Sequence, residues 1–587
     1  MSALIALTGL IASRPERAGA QEASALRDPP ALDALVDFDR DQSDMRVAIL
    51  RYEEDRSALM RRYDIPLSPV RRARLERFYQ GWLDALDDMD FDALNHEGKV
   101  DYVLLRNRLG FEMEMLGQEA ALAAEMEPLL PFQRSLQHLQ EERRERVARL
   151  NARAVADTLN RVAREVEALT VRFQNGGEDL PEVRGVLAER AARQVGSLLR
   201  MLDGWYGYHA GYDPDFTWWV PEPYARLTRA LQGHADAIRG RFVGDLSSGP
   251  VIGEPIGEEG LRAHLANEMI PYTAEELIAI AEAEFAWMEE ALVEAAREMG
   301  YGNDWKAAQE AVKELAVPPG EKPRVVLELE EQSVDFIEAR DWITLPPLAH
   351  EVWRMEMMPP ERQRVSPFFL GGEVIRISYP TDEMTHEEKL MSMRGNNPHF
   401  NRATVHHELI PGHHLQGFMT SRFNDHRGLF TTPFWGEGWA LYWEMILWEN
   451  DFPRSPEDRI GMLFWRMHRA ARIIFSLSFH LERMTPQEAV DLLVDRVGHE
   501  RANAEAEVRR SFAGDYSPLY QAGYMLGGMQ FRALYRELVQ SGTMTAREFH
   551  DAVLRGGRMP VEMVRARLTG QPLTRDYTPG WRFADGN

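Results

Sequence analysis

Apolar side chains recur along most of this chain at steps of three and four, the spacing that gathers them on one helix face. In the clearest case Thr273 and Glu276 form a capping box. Leu277, Ile280, Phe285, Met288, Leu292 and Met299 follow at near-helical spacing until Gly300 ends the run. Thr485–Glu488 and Thr545–Glu548 repeat the device, the first with Pro486 at the first helical position. The stretch from Ser135 to Phe173 predicts a long charged helix, striped by Val155, Leu159, Val162, Val166, Leu169 and Phe173. The period changes at Glu373 to Tyr379 (EVIRISY), a β-rich run between Gly371-Gly372 and Pro380 that predicts a strand. The pattern therefore predicts a mostly α-helical body with a small β-element around 373–379. Pro/Gly clusters at 213–223 and 248–260 mark a soft division of one continuous body. An N-terminal helical half covers 30–255 and a C-terminal helical half covers 256–587.

Composition narrows the chemistry. Hydrophobic residues make up 44% and charged residues 27% of 587, an ordinary globular balance. A net charge of -25 repels polyanions, so no nucleic-acid partner is expected. Cysteine is absent, which excludes disulfides, thiolate nucleophiles and thiolate metal sites. Any metal must be held by His, Asp or Glu.

The apolar run Ala3–Ala12 and the small residues Ala18-Gly19-Ala20 read as a signal segment over 1–20, implying a periplasmic or secreted protein. No Lys or Arg precedes the run, and Arg14, Glu16 and Arg17 crowd the cleavage site, which leaves the cytoplasm as the alternative. No other stretch approaches the ~18 apolar residues of a membrane span.

The stretch TVHHELIPGHHLQ, residues 404–416, concentrates the candidate chemistry. It begins as the zinc motif H-E-x-x-H with His407 and Glu408, but Pro411 occupies the place of the second histidine. Asn397-Pro398 predicts a helix over 398–410. Pro411 clashes with the carbonyl of residue 407, and Gly412 permits an unusual backbone angle, so a kink is expected. On an unbroken helix His413 lies about 240° around from His407. If the Pro-Gly step loops out two residues, His413 takes the place of the missing ligand, with His414 as the fallback. Downstream, FWGEGWALYWE offers Glu437 and Glu444 on an aromatic helix, where carboxylates are costly to bury unless paired or bound to metal.

These residues resemble a family signature. H-E-x-x-P-G-H-H-L-Q followed by E-G-W-A-L-Y is similar to the core motif of a large bacterial family of predicted zinc hydrolases, long known only as a domain of unknown function and related to the gluzincin metallopeptidases. Here the motif comprises His407, Glu408, Pro411, Gly412, His413 and Gln416, then Glu437, Gly438, Trp439, Tyr442 and Glu444. Arg472 and His480 match an R-x7-H step, and Pro518, Tyr524 and Gly527 match P-x5-Y-x2-G. Two departures lie outside the ligands: Ser476 stands where the family usually has Asp, and about three extra residues separate Arg510 from Pro518.

The resemblance implies a gluzincin-like helical body with a deep cleft, and one Zn²⁺ per chain held by His407, His413 and Glu437. It also implies Glu408 as general base, Tyr524 and His480 as candidate oxyanion donors, and Arg472 and Arg510 as substrate-binding residues. The strand at 373–379 is expected to form the cleft edge that pairs with a peptide backbone. The function expected is zinc-dependent hydrolysis of a peptide or small amide. The alternatives are an amidase of a non-peptide molecule, or an inactive zinc-binding protein, against which the intact Glu408 argues.

Overall fold

The computed structural model describes residues 42–584 apart from 146–149, 177–179, 212, 244–252, 364–367 and 513–515, together with Leu26, Asp28 and Pro30. The signal-segment reading at 1–20 lies outside the described residues. As expected, the described residues are mostly helical, and among them is one small three-stranded sheet.

All three capping boxes form, each with the Thr hydroxyl accepting from the Glu amide and the Glu carboxylate returning to the Thr amide. The long helix expected over Ser135–Phe173 is instead divided into Gln133–Arg143 and Ala152–Asn175. Asn151 explains the restart, because its side chain accepts from the Ala154 amide and caps a new helix. Buried apolar side chains gather in two main clusters. One lies wholly within residues 126–243, and the other joins 45–116 to 261–583.

The small sheet is built from β1 (Arg354–Met357), β2 (Phe369–Leu370) and β3 (Val374–Ile377). β3 lies in the middle, parallel to β1 and antiparallel to β2. This corrects the cleft-edge expectation: the predicted strand exists, but both of its sides carry a partner strand, so it is no free edge for a peptide. Its contribution to the site is the turn before it. Gly371 packs so closely on Glu408 that an added Cβ would lie 2.6 Å from the Glu408 Cβ, and the Gly372 amide donates to the Glu408 carbonyl at 3.2 Å.

Five helices carry the candidate metal-ligating and catalytic residues: α1 (Pro398–Glu408), α2 (His413–Thr420), α3 (Pro433–Glu449), α4 (Pro456–His480) and α5 (Tyr520–Tyr535). α3 and α5 touch backbone to backbone. A Cβ on Gly438 would meet the Gly527 Cα at 2.6 Å, and one on Gly527 would meet the Phe434 carbonyl at 2.1 Å. Only glycine allows this approach, and it brings the start of α3 against the start of α5. Trp435, Trp439, Tyr442 and Trp443 fill the buried faces of α3.

Candidate metal centre

The break between α1 and α2 is built by backbone bonds that fold the chain back on the helix end. α1 stops at Glu408, two residues before the expected end, and the helix restarts at His413. The Gly412 amide donates to the His406 carbonyl at 3.0 Å, and the His414 amide to the Leu409 carbonyl at 3.1 Å. Trp439 braces the loop from α3, its Nε1 donating to the Pro411 carbonyl at 2.9 Å. Gly412 is needed here for space: its φ is -77°, and an added Cβ would stand 1.8 Å from the His407 carbonyl oxygen.

This fold-back brings His407 and His413 together, with ring centroids 4.8 Å apart. Glu437 reaches them from α3. Its Oε2 lies 3.0 Å from His413 Nε2 and 3.5 Å from His407 Nε2, and one ligand atom from each of the three residues lies within 4.8 Å of the others. Donors about 2.1 Å from a common zinc stand about 3.4 Å apart, so the trio is spaced as a three-ligand site. His407 is 2% exposed, whereas His413 and Glu437 keep 23% and 12%, so solvent reaches the cluster from the His413 side.

The surroundings fix the ligand orientations. His407 Nδ1 lies 2.7 Å from Glu444 Oε1, leaving Nε2 for the cluster. Tyr520 donates its hydroxyl to Glu437 Oε1, and Gln416 Oε1 lies 3.5 Å from His413 Nδ1. Burial works against charging His413, but Glu437 outweighs it and holds the imidazole up at about 9. Burial likewise opposes the Glu437 charge, and His413 and His407 hold its carboxyl well below the usual range. The trio is a strongly polarised position for a positive charge, which fits a His₂Glu metal site.

The remaining candidates fall into place around it. Glu408 is half-buried beneath Gly371, and its charge acts on His413. The Tyr524 ring stacks on His407 at 6.1 Å, and burial followed by the Glu437 charge raises the pKa of its hydroxyl. Arg472 Nε donates to Glu507 Oε1 at 2.7 Å, and Arg510 Nε lies 3.0 Å from Glu507 Oε2. His414 is turned elsewhere, its Nε2 2.6 Å from the Ala349 carbonyl, so the fallback ligand is not the one facing the cluster. His406 is buried against Phe452, and burial lowers its pKa to about 4. His480 ends α4 between Phe479 and Phe512 and hydrogen-bonds the backbone at Pro518. Its hydrogen bond and ring contacts are thus with Pro518, Phe479 and Phe512, not with the triad.

Two contributors escaped the sequence reading. Tyr520 sits one helical turn before Tyr524 and so shares its face, a spacing visible in the sequence. Arg469 precedes Arg472 by three residues on α4, and its Nη2 lies 3.9 Å from Glu444 Oε1.

Comparison with known proteins now bears on this arrangement. A family model described as "Bacterial protein of unknown function (DUF885)" matches residues 56–568. The chain belongs to this family. Among solved structures, it is similar to "a putative lipoprotein of unknown function" from Shewanella oneidensis, with a TM-score of 0.64 and 18% identity over 89% of this chain and 98% of that one. A "putative lipoprotein" from Colwellia psychrerythraea superimposes with a TM-score of 0.51 and 16% identity, covering 85% of this chain and 90% of that one. At those identities the likeness speaks for the fold alone. No curated protein matches the sequence. Among the described residues, no helix is long and apolar enough to cross a membrane.

Proposed function

We propose that this DUF885 chain is a zinc-dependent hydrolase of gluzincin type that cleaves amide bonds in peptides or small amides, with one Zn²⁺ per chain. The observation that carries the reading is the convergence of His407, His413 and Glu437 across a broken helix, with Glu408 beside them. When bound, zinc supplies a Lewis acid that brings the pKa of a water towards neutrality.

The chain's own residues do the rest. Glu408, half-open to solvent and next to a ligand, takes a proton from the attacking water and returns it to the leaving amine. Glu444 holds the His407 ring, and Tyr520 holds the Glu437 carboxylate. Tyr524 keeps its proton at neutral pH and serves as a hydrogen-bond donor to the oxyanion. His480, turned to the Pro518 backbone, positions the C-terminal end of α4.

The lipoprotein descriptions of the two structural neighbours and the apolar run at 3–12 both favour a site of action outside the cytoplasm. The test is metal analysis followed by digestion of a mixed peptide library read by mass spectrometry. About one zinc per chain and defined cleavage products are expected. A zinc-loaded protein that leaves both the peptide library and a panel of small amides intact would refute hydrolysis.

A further inference from the structure

A group of buried arginines lies beside the triad, and among the described residues it has fewer dedicated anions than cations. Arg469 and Arg472, three residues apart on α4, both place their guanidinium carbons over the Tyr524 ring, at 4.6 and 4.4 Å. Arg510 joins them from the neighbouring helix Arg501–Phe512. Against these three cations stands Glu507, which bonds Arg472, pairs with Arg510 and accepts from Gln521 at 3.0 Å. Arg469 Nη2 lies 3.9 Å from Glu444 Oε1, on an acid already committed to His407 at 2.7 Å.

Individual atoms show the deficit. Arg469 Nε and Arg472 Nη1 are buried with no hydrogen-bond partner. Burial, and then Arg472, pushes the Arg469 pKa down, whereas Glu507 outweighs burial and raises Arg472 and Arg510, so Arg469 is the under-compensated cation of the three. A guanidinium buried without a partner is costly, and the anion that matches its fork is a carboxylate. Arg510 keeps 16% of its side chain exposed, and Tyr516 and Tyr520 beside it are half-buried, so the cluster has an approach from solvent. The Tyr524 ring that carries the Arg469 and Arg472 guanidiniums also stacks on His407, which places the cluster next to the triad.

We infer that the substrate presents a free carboxylate to Arg472, Arg469 and Arg510 while the neighbouring amide lies at the His407–His413–Glu437 cluster. The carboxylate is the α-carboxylate of a C-terminal residue or the side chain of an acidic one. In the first case the enzyme is a carboxypeptidase. Water adds across the C–N bond, its hydroxyl joining the carbonyl carbon and its proton reaching the released amine through Glu408. No other reactant is needed. This rests on the hydrolase reading above, but the carboxylate site is testable without turnover.

Three N-blocked peptides decide the matter: a free acid with a neutral C-terminal side chain, its C-terminal amide, and the amide in which that last residue is replaced by Glu. Zinc-loaded enzyme should cleave the free acid faster than the neutral amide by on the order of 10²-fold, the cost of leaving buried donors unpaired. Fast cleavage of the Glu amide as well assigns the anion to a side chain. Arg510→Gln, at the solvent mouth, should lose the preference.

The same peptides are titrated by calorimetry into the Glu408→Gln protein, where the free acid should bind and the neutral amide should not. Equal cleavage and equal binding of acid and neutral amide overturn the inference and leave the hydrolase reading standing. Absence of cleavage together with Arg510-dependent binding of the acid refutes the hydrolase reading and keeps the carboxylate site.

Discussion

His407 Nδ1 and Glu444 Oε1 lie 2.7 Å apart, both side chains almost wholly removed from solvent. The contact spans two helices and fixes which imidazole nitrogen faces His413 and Glu437. A carboxylate on the outer nitrogen also makes a ligating histidine more basic. Glu444→Gln keeps the shape but removes the charge. Its zinc affinity, read by chelator competition, should fall about 10–100-fold. Unchanged affinity would mean that His407 is not a ligand.

Glu408 separates binding from turnover. Its carboxylate sits under Gly371, next in sequence to one proposed ligand and close enough to act on the other. The Glu408→Gln protein should retain about one zinc and lose roughly 10²–10⁴-fold in rate on whichever peptide the library selects. A zinc-loaded variant with wild-type turnover would remove Glu408 from the mechanism.

Much of this site was legible in the sequence, for a physical reason. Zinc ligands must be His, Asp or Glu in a cysteine-free chain, and their spacing is constrained by helix geometry. His407 and His413 could therefore be paired across the Pro-Gly kink, with Glu437 and Glu444 as candidate carboxylates two turns apart on one helix face, and the family resemblance singled out Glu437. The capping boxes were equally plain, because each is a local bond between residues three apart. What the sequence hid was non-local. β3 reads as a strand, but nothing within 373–379 says that 354–357 and 369–370 will occupy both of its sides. The value of Arg469 depends on Glu444 already being engaged by His407, a fact of packing between α3 and α4. Asn151, which divides the helix expected over Ser135–Phe173, was visible but outweighed by a strong apolar stripe.

His480 gives the fold a measurable acid sensitivity. Burial lowers its pKa from an ordinary 6.5 to about 4, with His264 nearby adding to the effect and the Pro518 backbone bond opposing it. The folded chain therefore binds this proton less readily than the unfolded one. The contribution to stability is fully present above pH 6.5 and is lost as pH falls from 6.5 through 4. The span corresponds to on the order of 3 kcal/mol. Urea denaturation at pH 6.5 and 4.5 should show a smaller acid loss for His480→Gln than for the natural chain. Parallel losses in the two proteins would show that His480 is not held neutral.

The histidine that H-E-x-x-H lacks is supplied by a chain that folds back within four residues, and Gly412 is where that manoeuvre is most constrained. Its amide holds the His406 carbonyl, and a methyl group in place of its hydrogen would stand 1.8 Å from the His407 carbonyl oxygen. Gly412→Ala must therefore move either the end of α1, which carries His407, or the start of α2, which carries His413. Most of the core lies elsewhere, so far-UV circular dichroism should change little while zinc and turnover are lost together. Replacing both Pro411 and Gly412 by Ala removes the proline clash and favours a continuous helix. That helix turns His413 away and leaves His407 with His414 about 10 Å along the axis, too far to share one zinc. Deleting Pro411 and Gly412 restores the uninterrupted spacing His-Glu-Leu-Ile-His and should recover part of the metal binding. Elemental analysis of the three variants is the measurement. Wild-type zinc in the double alanine protein would show that the fold-back is not what brings the ligands together.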